Sequence, residues 1–118
     1  MKYHIYRFGH GCQWMDDLKE ATDYFKQLPT DGRYTAIGIT EDMYAVDVLI
    51  KGQYAEGEKF LISQDIRQSV LLREHPEKTI NAVSDLYEAV GVKSEFSQKM
   101  IEDLKDLANE FDHDLDEM

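Results

Sequence analysis

Within SEFSQKMIEDLKDLANEFDHDLDEM (residues 94–118), Phe96, Met100, Leu104, Leu107, Phe111 and Leu115 recur at steps of three and four. Only a period near 3.6 residues gathers such positions on one side, so the stretch predicts a long amphipathic helix. Ser94 stands just ahead of the stripe, where a hydroxyl can cap the first turn. The opposite face is acidic. From Glu102 to Met118 there are eight acids and a single base, Lys105, giving −7 of the formal −11 of the whole chain. Residues 1–101 hold sixteen acids and twelve bases, so the charge asymmetry is local to this one segment.

The rest of the chain has to supply the surface on which that helix packs. At 118 residues, with 42% hydrophobic and 11% aromatic residues, it predicts a single folded domain covering residues 1–118. The apolar runs are only a few residues long, too short to span a bilayer. The opening MKYHIYRF has neither the apolar core nor the small-residue cleavage site of a signal peptide. One cysteine, Cys12, permits no internal disulfide and suits a reducing, cytoplasmic compartment. The net charge opposes direct binding to nucleic acid or to an anionic membrane, and favours a basic partner.

In chain order, residues 2–8 alternate as a strand, with Tyr3, Ile5 and Arg7 on one face and His4, Tyr6 and Phe8 on the other. Gly9-His10-Gly11 breaks it. Residues 16–28 predict a helix: Asp17 with Glu20 resembles a capping box, and Met15, Leu18, Ala21, Phe25 and Leu28 form its apolar stripe. Pro29-Thr30-Asp31-Gly32 ends it. The β-rich runs 33–40 and 43–51 read as a hairpin across Glu41-Asp42, and 58–62 as a further strand pairing back on 43–51. Ser63 is the expected cap of a short helix to about Arg73, with Ile66, Val70 and Leu71 inward. Pro76 opens another helix, striped by Ile80, Val83, Leu86, Tyr87 and Val90 and closed by Gly91. The expected class is α+β: a small antiparallel sheet of about four strands (β-α-β-β-β) with two or three C-terminal helices packed on it.

The sharpest functional reading of the acidic helix is phosphate mimicry. Residues 102–117 would run roughly 22 Å at about 1.5 Å per residue. Eight carboxylates over that length give about one charge per ~2.8 Å, between the ~1.7 Å of duplex DNA and the ~3.4 Å of one strand. Glu102, Asp103, Asp106, Glu110, Asp112 and Asp114 are the expected phosphate stand-ins, and Tyr54, set in the loop 52–57, is an expected interface anchor. The plain alternative is a solvated face with a frayed tail after Asp112.

Other constellations are weaker. Asp112-His113-Asp114-Leu115-Asp116 begins like a calcium loop but lacks its glycine and its closing glutamate, so no metal site is expected. His10 and Cys12, with His4 nearby, offer the elements of a nucleophilic pair, against the plainer reading of Cys12 as a small, partly buried hydrophobe. Trp14 and Tyr44 are expected to pack in the core, and Tyr34 lies near a strand end. No glycine-rich phosphate loop, no cofactor motif and no basic patch is visible.

The stretch LPTDGRYTAIGI (Leu28 to Ile39) resembles small acidic accessory proteins of bacterial mobile elements, a group that includes anti-CRISPR and antirestriction proteins. The resemblance implies a non-enzymatic inhibitor of a basic nucleic-acid-handling protein, with a CRISPR effector nuclease as the implied target. Two other classes stay open. One is a self-associating structural or regulatory protein, a homodimer sharing the stripe from Phe96 to Phe111. The other is a cysteine-dependent enzyme using Cys12 and His10.

Overall fold

A computed structural model describes residues 1–29, 34–52, 61, 62, 66, 69–91 and 95–116, the side chains of 61, 62, 95, 96 and 112–116 excepted. Its elements are β1 (Lys2–Arg7), β2 (Gly11–Met15), α1 (Leu18–Gln27), β3 (Tyr34–Glu41), β4 (Tyr44–Gly52), β5 (Leu61–Ile62), α2 (Val70–Glu74), α3 (Pro76–Val90) and α4 (Glu95–Asp116). The strands form one antiparallel sheet in the order β2-β1-β3-β4-β5, so the architecture is the expected α+β.

The strand that the sequence does not announce is β2. The turn at Gly9-His10-Gly11 does not merely end β1 but folds the chain back on it, pairing Tyr6 with Cys12 and His4 with Trp14. Gly9 and Gly11 both take positive φ, 83° and 96°, and the His10 N–H donates to the Arg7 carbonyl at 2.9 Å. Glycine reaches that region without the Cβ clash that other residues meet there.

The helices form where caps and stripes predict them. Asp17 accepts the Glu20 N–H at 2.9 Å and opens α1, whose Ala21 and Phe25 are buried. Lys51, buried on β4, reaches the other end of α1, where its ammonium donates to the carbonyls of Phe25 and Leu28. Those are carbonyls that a helix end leaves without intrahelical partners. Pro76 occupies the first turn of α3, and Gly91 closes it at φ 90° with its N–H shared between the Tyr87 and Glu88 carbonyls.

The segment before α3 differs from expectation. Ser69 caps α2 by accepting the Leu72 N–H, and the inward residues are Leu71 and Leu72, whereas Val70 is 43% exposed. A helix starting at Val70 rather than some seven residues earlier rotates that position outward. The expected cap Ser63 lies outside the described residues.

The four described helices lie on one face of the sheet. Ile5, Ile37, Ile39, Val48 and Leu49 meet Phe25, Leu71, Leu72, Val83 and Leu86 in a single core. The long C-terminal helix packs chiefly on α2 and α3, adding Met100, Leu104 and Ala108 to that core, with Leu107 and Phe111 half-buried at its margin. The Arg73 guanidinium stands over the Phe111 ring, 5.0 Å from its centroid, and joins α2 to α4. Fully burying an apolar side chain of this kind contributes about 1.5–3 kcal/mol. Phe96 and Leu115 lie outside the described side chains.

Candidate functional site

With Met100, Leu104 and Ala108 committed to the core, helical geometry turns residues 102, 103, 106 and 110 to the far side. Glu102, Asp106 and Glu110 are exposed and Asp103 is half-buried. Among the described residues, none of these four carboxylates has a hydrogen bond or ion pair. From 102 to 110 the axis advances about 12 Å, so the four are spaced at about one per 3–4 Å. One strand of a nucleic acid has a phosphate about every 3.4 Å. The described part of the face therefore matches a single strand, with exposed Lys99 placed one turn before Glu102 and Asp103.

Two more of the expected mimics, Asp112 and Asp114, sit on helical backbone that runs on to Asp116, but their side chains lie outside the described residues, as does Tyr54. The helix continues past Asp112, where fraying is the expectation. On its flank, α4 forms an open groove of about 440 Å³ with α3, lined by Ser84, Tyr87, Glu88, Ile101, Glu102 and Lys105 among others. The Tyr87 hydroxyl is buried beside this groove with no hydrogen-bond partner among the described residues, and burial pushes its phenol well above the usual range.

The residues weighed for catalysis are arranged differently. Cys12 is exposed on β2, not buried as a small hydrophobe, because β2 is the sheet edge and places Cys12 on the side away from the helices. Partial burial and the negative charge of Asp47 push its thiol pKa up, which disfavours the thiolate that a nucleophile requires. Its sulfur has the Gln13 carbonyl at 3.9 Å, and His10 stands exposed in the turn. His4 is buried with both ring nitrogens engaged, Nδ1 with Thr40 Oγ1 at 3.0 Å and Nε2 with Asp47 Oδ1 at 2.9 Å. Among the described residues no three His, Cys, Asp or Glu side chains gather as a metal site. No described helix is long and apolar enough to cross a membrane.

The sheet's outer face is a second surface. Alternation puts His4, Tyr6 and Phe8 there, and register adds Cys12 and Trp14 from β2 and Tyr34, Gly38 and Thr40 from β3. Trp14 is 55% exposed and Phe8 37%, so Trp14 is not core: its ring leans on His4, centroids 5.4 Å apart, on a face that no described helix covers. Tyr44 is likewise not core but 38% exposed, at the β3–β4 turn. The alternation of residues 2–8 already carries the signal for this face. The missing part is β2, which extends the row to Trp14.

The chain matches no protein-family model, and no curated protein or solved structure is significantly similar to it.

Proposed function

We propose that this chain is a non-enzymatic acidic binding protein that occupies the nucleic-acid-binding surface of a basic protein. The observation that supports this reading most directly is the row Glu102, Asp103, Asp106 and Glu110 along α4, spaced like strand phosphates and, among the described residues, without a hydrogen bond or ion pair even to the exposed Lys99 and Lys105 of the same helix. A helix anchored by buried Met100 and Leu104 holds such a row in fixed register. Carboxylates ordered before binding need less reorganisation than carboxylates on a loop. Affinity would come from Lys and Arg side chains of the partner, and it would fall with salt.

The target class that the sequence resemblance implies is a CRISPR effector nuclease. In a Cas9-type enzyme, the groove where arginines read the short duplex motif would be the surface to compete for. The test is competition. A Cas9-type nuclease immobilised with its guide should retain the chain at low salt, release it at high salt, and lose it to duplex DNA carrying the recognised motif. Capture that resists both salt and DNA would overturn mimicry. A nuclease that never retains the chain would remove that target and send the search to other basic nucleic-acid enzymes.

A further inference from the structure

We propose that the outer face of the sheet is a self-association surface, on which a second copy of this chain docks face to face. The two copies would be related by a two-fold axis.

The distribution of charge is the first argument. In a chain of net −11, this face carries, among the described residues, only two full charges at its outward strand positions, Lys2 and Asp47, and they are of opposite sign. The rest is aromatic, aliphatic or small: Trp14 and Phe8 are exposed, Tyr6, Tyr34 and Ile50 half-buried, and His4 and Ala36 buried. The acidic row of α4 belongs to a helix packed on α2 and α3, on the other side of the sheet. Two copies meeting through their sheets therefore hold the acidic helices on opposite outer sides of the pair. Most other pairings bring acidic surfaces within reach of the ~10 Å over which exposed charges still interact at moderate salt. Like charge steers the copies toward this contact.

The relief of the face selects the occupant. The rings are tilted rather than coplanar, His4 on Trp14 by 50°, Tyr6 on Tyr34 by 44° and Phe8 on Tyr34 by 47°. A planar base or sugar stacks best on a flat platform, whereas tilted rings make ridges that another ridged sheet can interleave. The helical stripe from Met100 to Phe111 offers no comparable surface, since it is already buried or half-buried inside the chain.

Size sets the expected strength. Four strands spaced about 4.8 Å apart, over five residues of about 3.3 Å each, make a face about 19 by 17 Å. That is ~320 Å² in projection on each copy, or ~640 Å² for the pair, well below the ~1,600 Å² total of a standard stable interface. The dimer is accordingly weak, and it forms in the tens of micromolar or above.

Sedimentation of the full chain tests this, across concentrations from about 10 μM to about 1 mM, which bracket dissociation constants of that order. The mean mass should climb from 13.7 kDa toward twice that value as concentration rises. Trp14→Glu, with an unchanged circular dichroism spectrum, should stay monomeric over the whole range. Phe8→Glu is the second variant, used if Trp14→Glu fails to fold. A mass that stays at one chain up to 1 mM overturns the proposal, and so does undiminished association in the folded face variants. Reversal of Asp103, Asp106 and Glu110 to lysine should leave the association intact. Its loss there would move the contact to α4 and sink the sheet face while leaving the acidic-helix function standing.

Discussion

The imidazole of His4 lies over Gly38 and reaches past it to Asp47, so β1 is tied to β4 across a position of β3 that has no side chain. A Cβ built on Gly38 would stand 2.4 Å from His4 Cε1, 2.5 Å from His4 Nε2 and 2.3 Å from the Val46 carbonyl oxygen. The His4–Asp47 bond of 2.9 Å exists only because that space is empty. The register of β3 and β4 shifts between Ile37 and Gly38, and this bulge is what sets Asp47 opposite the glycine.

Gly38→Ala should therefore destabilise the fold by about 2–4 kcal/mol, combining overpacking with loss of the His4 bonds. The methyl cannot relax against His4 alone, because the third contact is backbone. Urea unfolding followed by circular dichroism reads this directly, and a loss below ~1 kcal/mol would mean that the strands shift apart freely.

Much of this architecture is legible before any coordinates. Asp17 with Glu20, Pro76 with Gly91, and the stripe through Met100 and Leu104 mark three helices by local chemistry, and the structure places all three where those signals stand. Gly11–Met15 carries no such signal. Cys12, Gln13 and Trp14 are all exposed, so the segment has no buried face to produce alternation, and only pairing with β1 makes it a strand. The His4–Asp47 contact is illegible for a related reason: it joins residues 43 apart through a bulge, and neither appears in a local pattern. The acids of α4 are legible as a row, yet which of them faces away from the core follows only once Ala108 joins Met100 and Leu104 inside.

Lys51→Met should destabilise by about 2 kcal/mol. Methionine keeps most of the apolar stem over the Phe25 ring but donates nothing to the Phe25 and Leu28 carbonyls. Hydrogen bonds from a charged donor contribute about 1.5–3 kcal/mol each, offset in part here because burial of the ammonium itself is unfavourable. The measured signature is a lower urea midpoint together with faster amide exchange in the last turn of α1. Unchanged exchange there would refute the capping role.

Alkaline pH should weaken the fold through the buried phenol of Tyr87 and the half-buried one of Tyr3. Burial raises the Tyr87 and Tyr3 pKa values, and Asp85 and Asp17 add to the effect at Tyr3. Between the ordinary value of about 10 and the raised folded value, the unfolded chain has lost protons that the folded chain keeps, so stability falls as pH rises. Lys51 acts in the opposite sense, since its lowered pKa makes the folded chain release a proton first and stability grow with pH up to about 10.4. Tyr87→Phe separates the two. It removes a buried hydroxyl that has no partner among the described residues, so at neutral pH it should be neutral or stabilising by about 1 kcal/mol, and its advantage over the parent chain should widen above pH ~10. A constant difference across pH 7–11 would contradict the buried-phenol account.

The acidic row and the stripe beside it should respond in opposite ways to substitution. Leu104 is fully buried between α4 and the helices beneath, and Leu104→Ala should cost about 2–5 kcal/mol and disturb every function together. Asp103, Asp106 and Glu110 make no hydrogen bond or ion pair among the described residues, so reversing all three to lysine should change stability by no more than about 1 kcal/mol. Net charge would move from −11 to −5, which eases self-repulsion and leaves the core untouched. If α4 stands in for a phosphate strand, that folded triple variant should lose its partner, and the single variants should each flatten the salt dependence of binding by about one counterion. Salt titrations of the binding constant for the parent, the three single variants and the triple decide the matter. Equal slopes throughout would show that the carboxylates of α4 keep the surface hydrated and that the partner binds elsewhere.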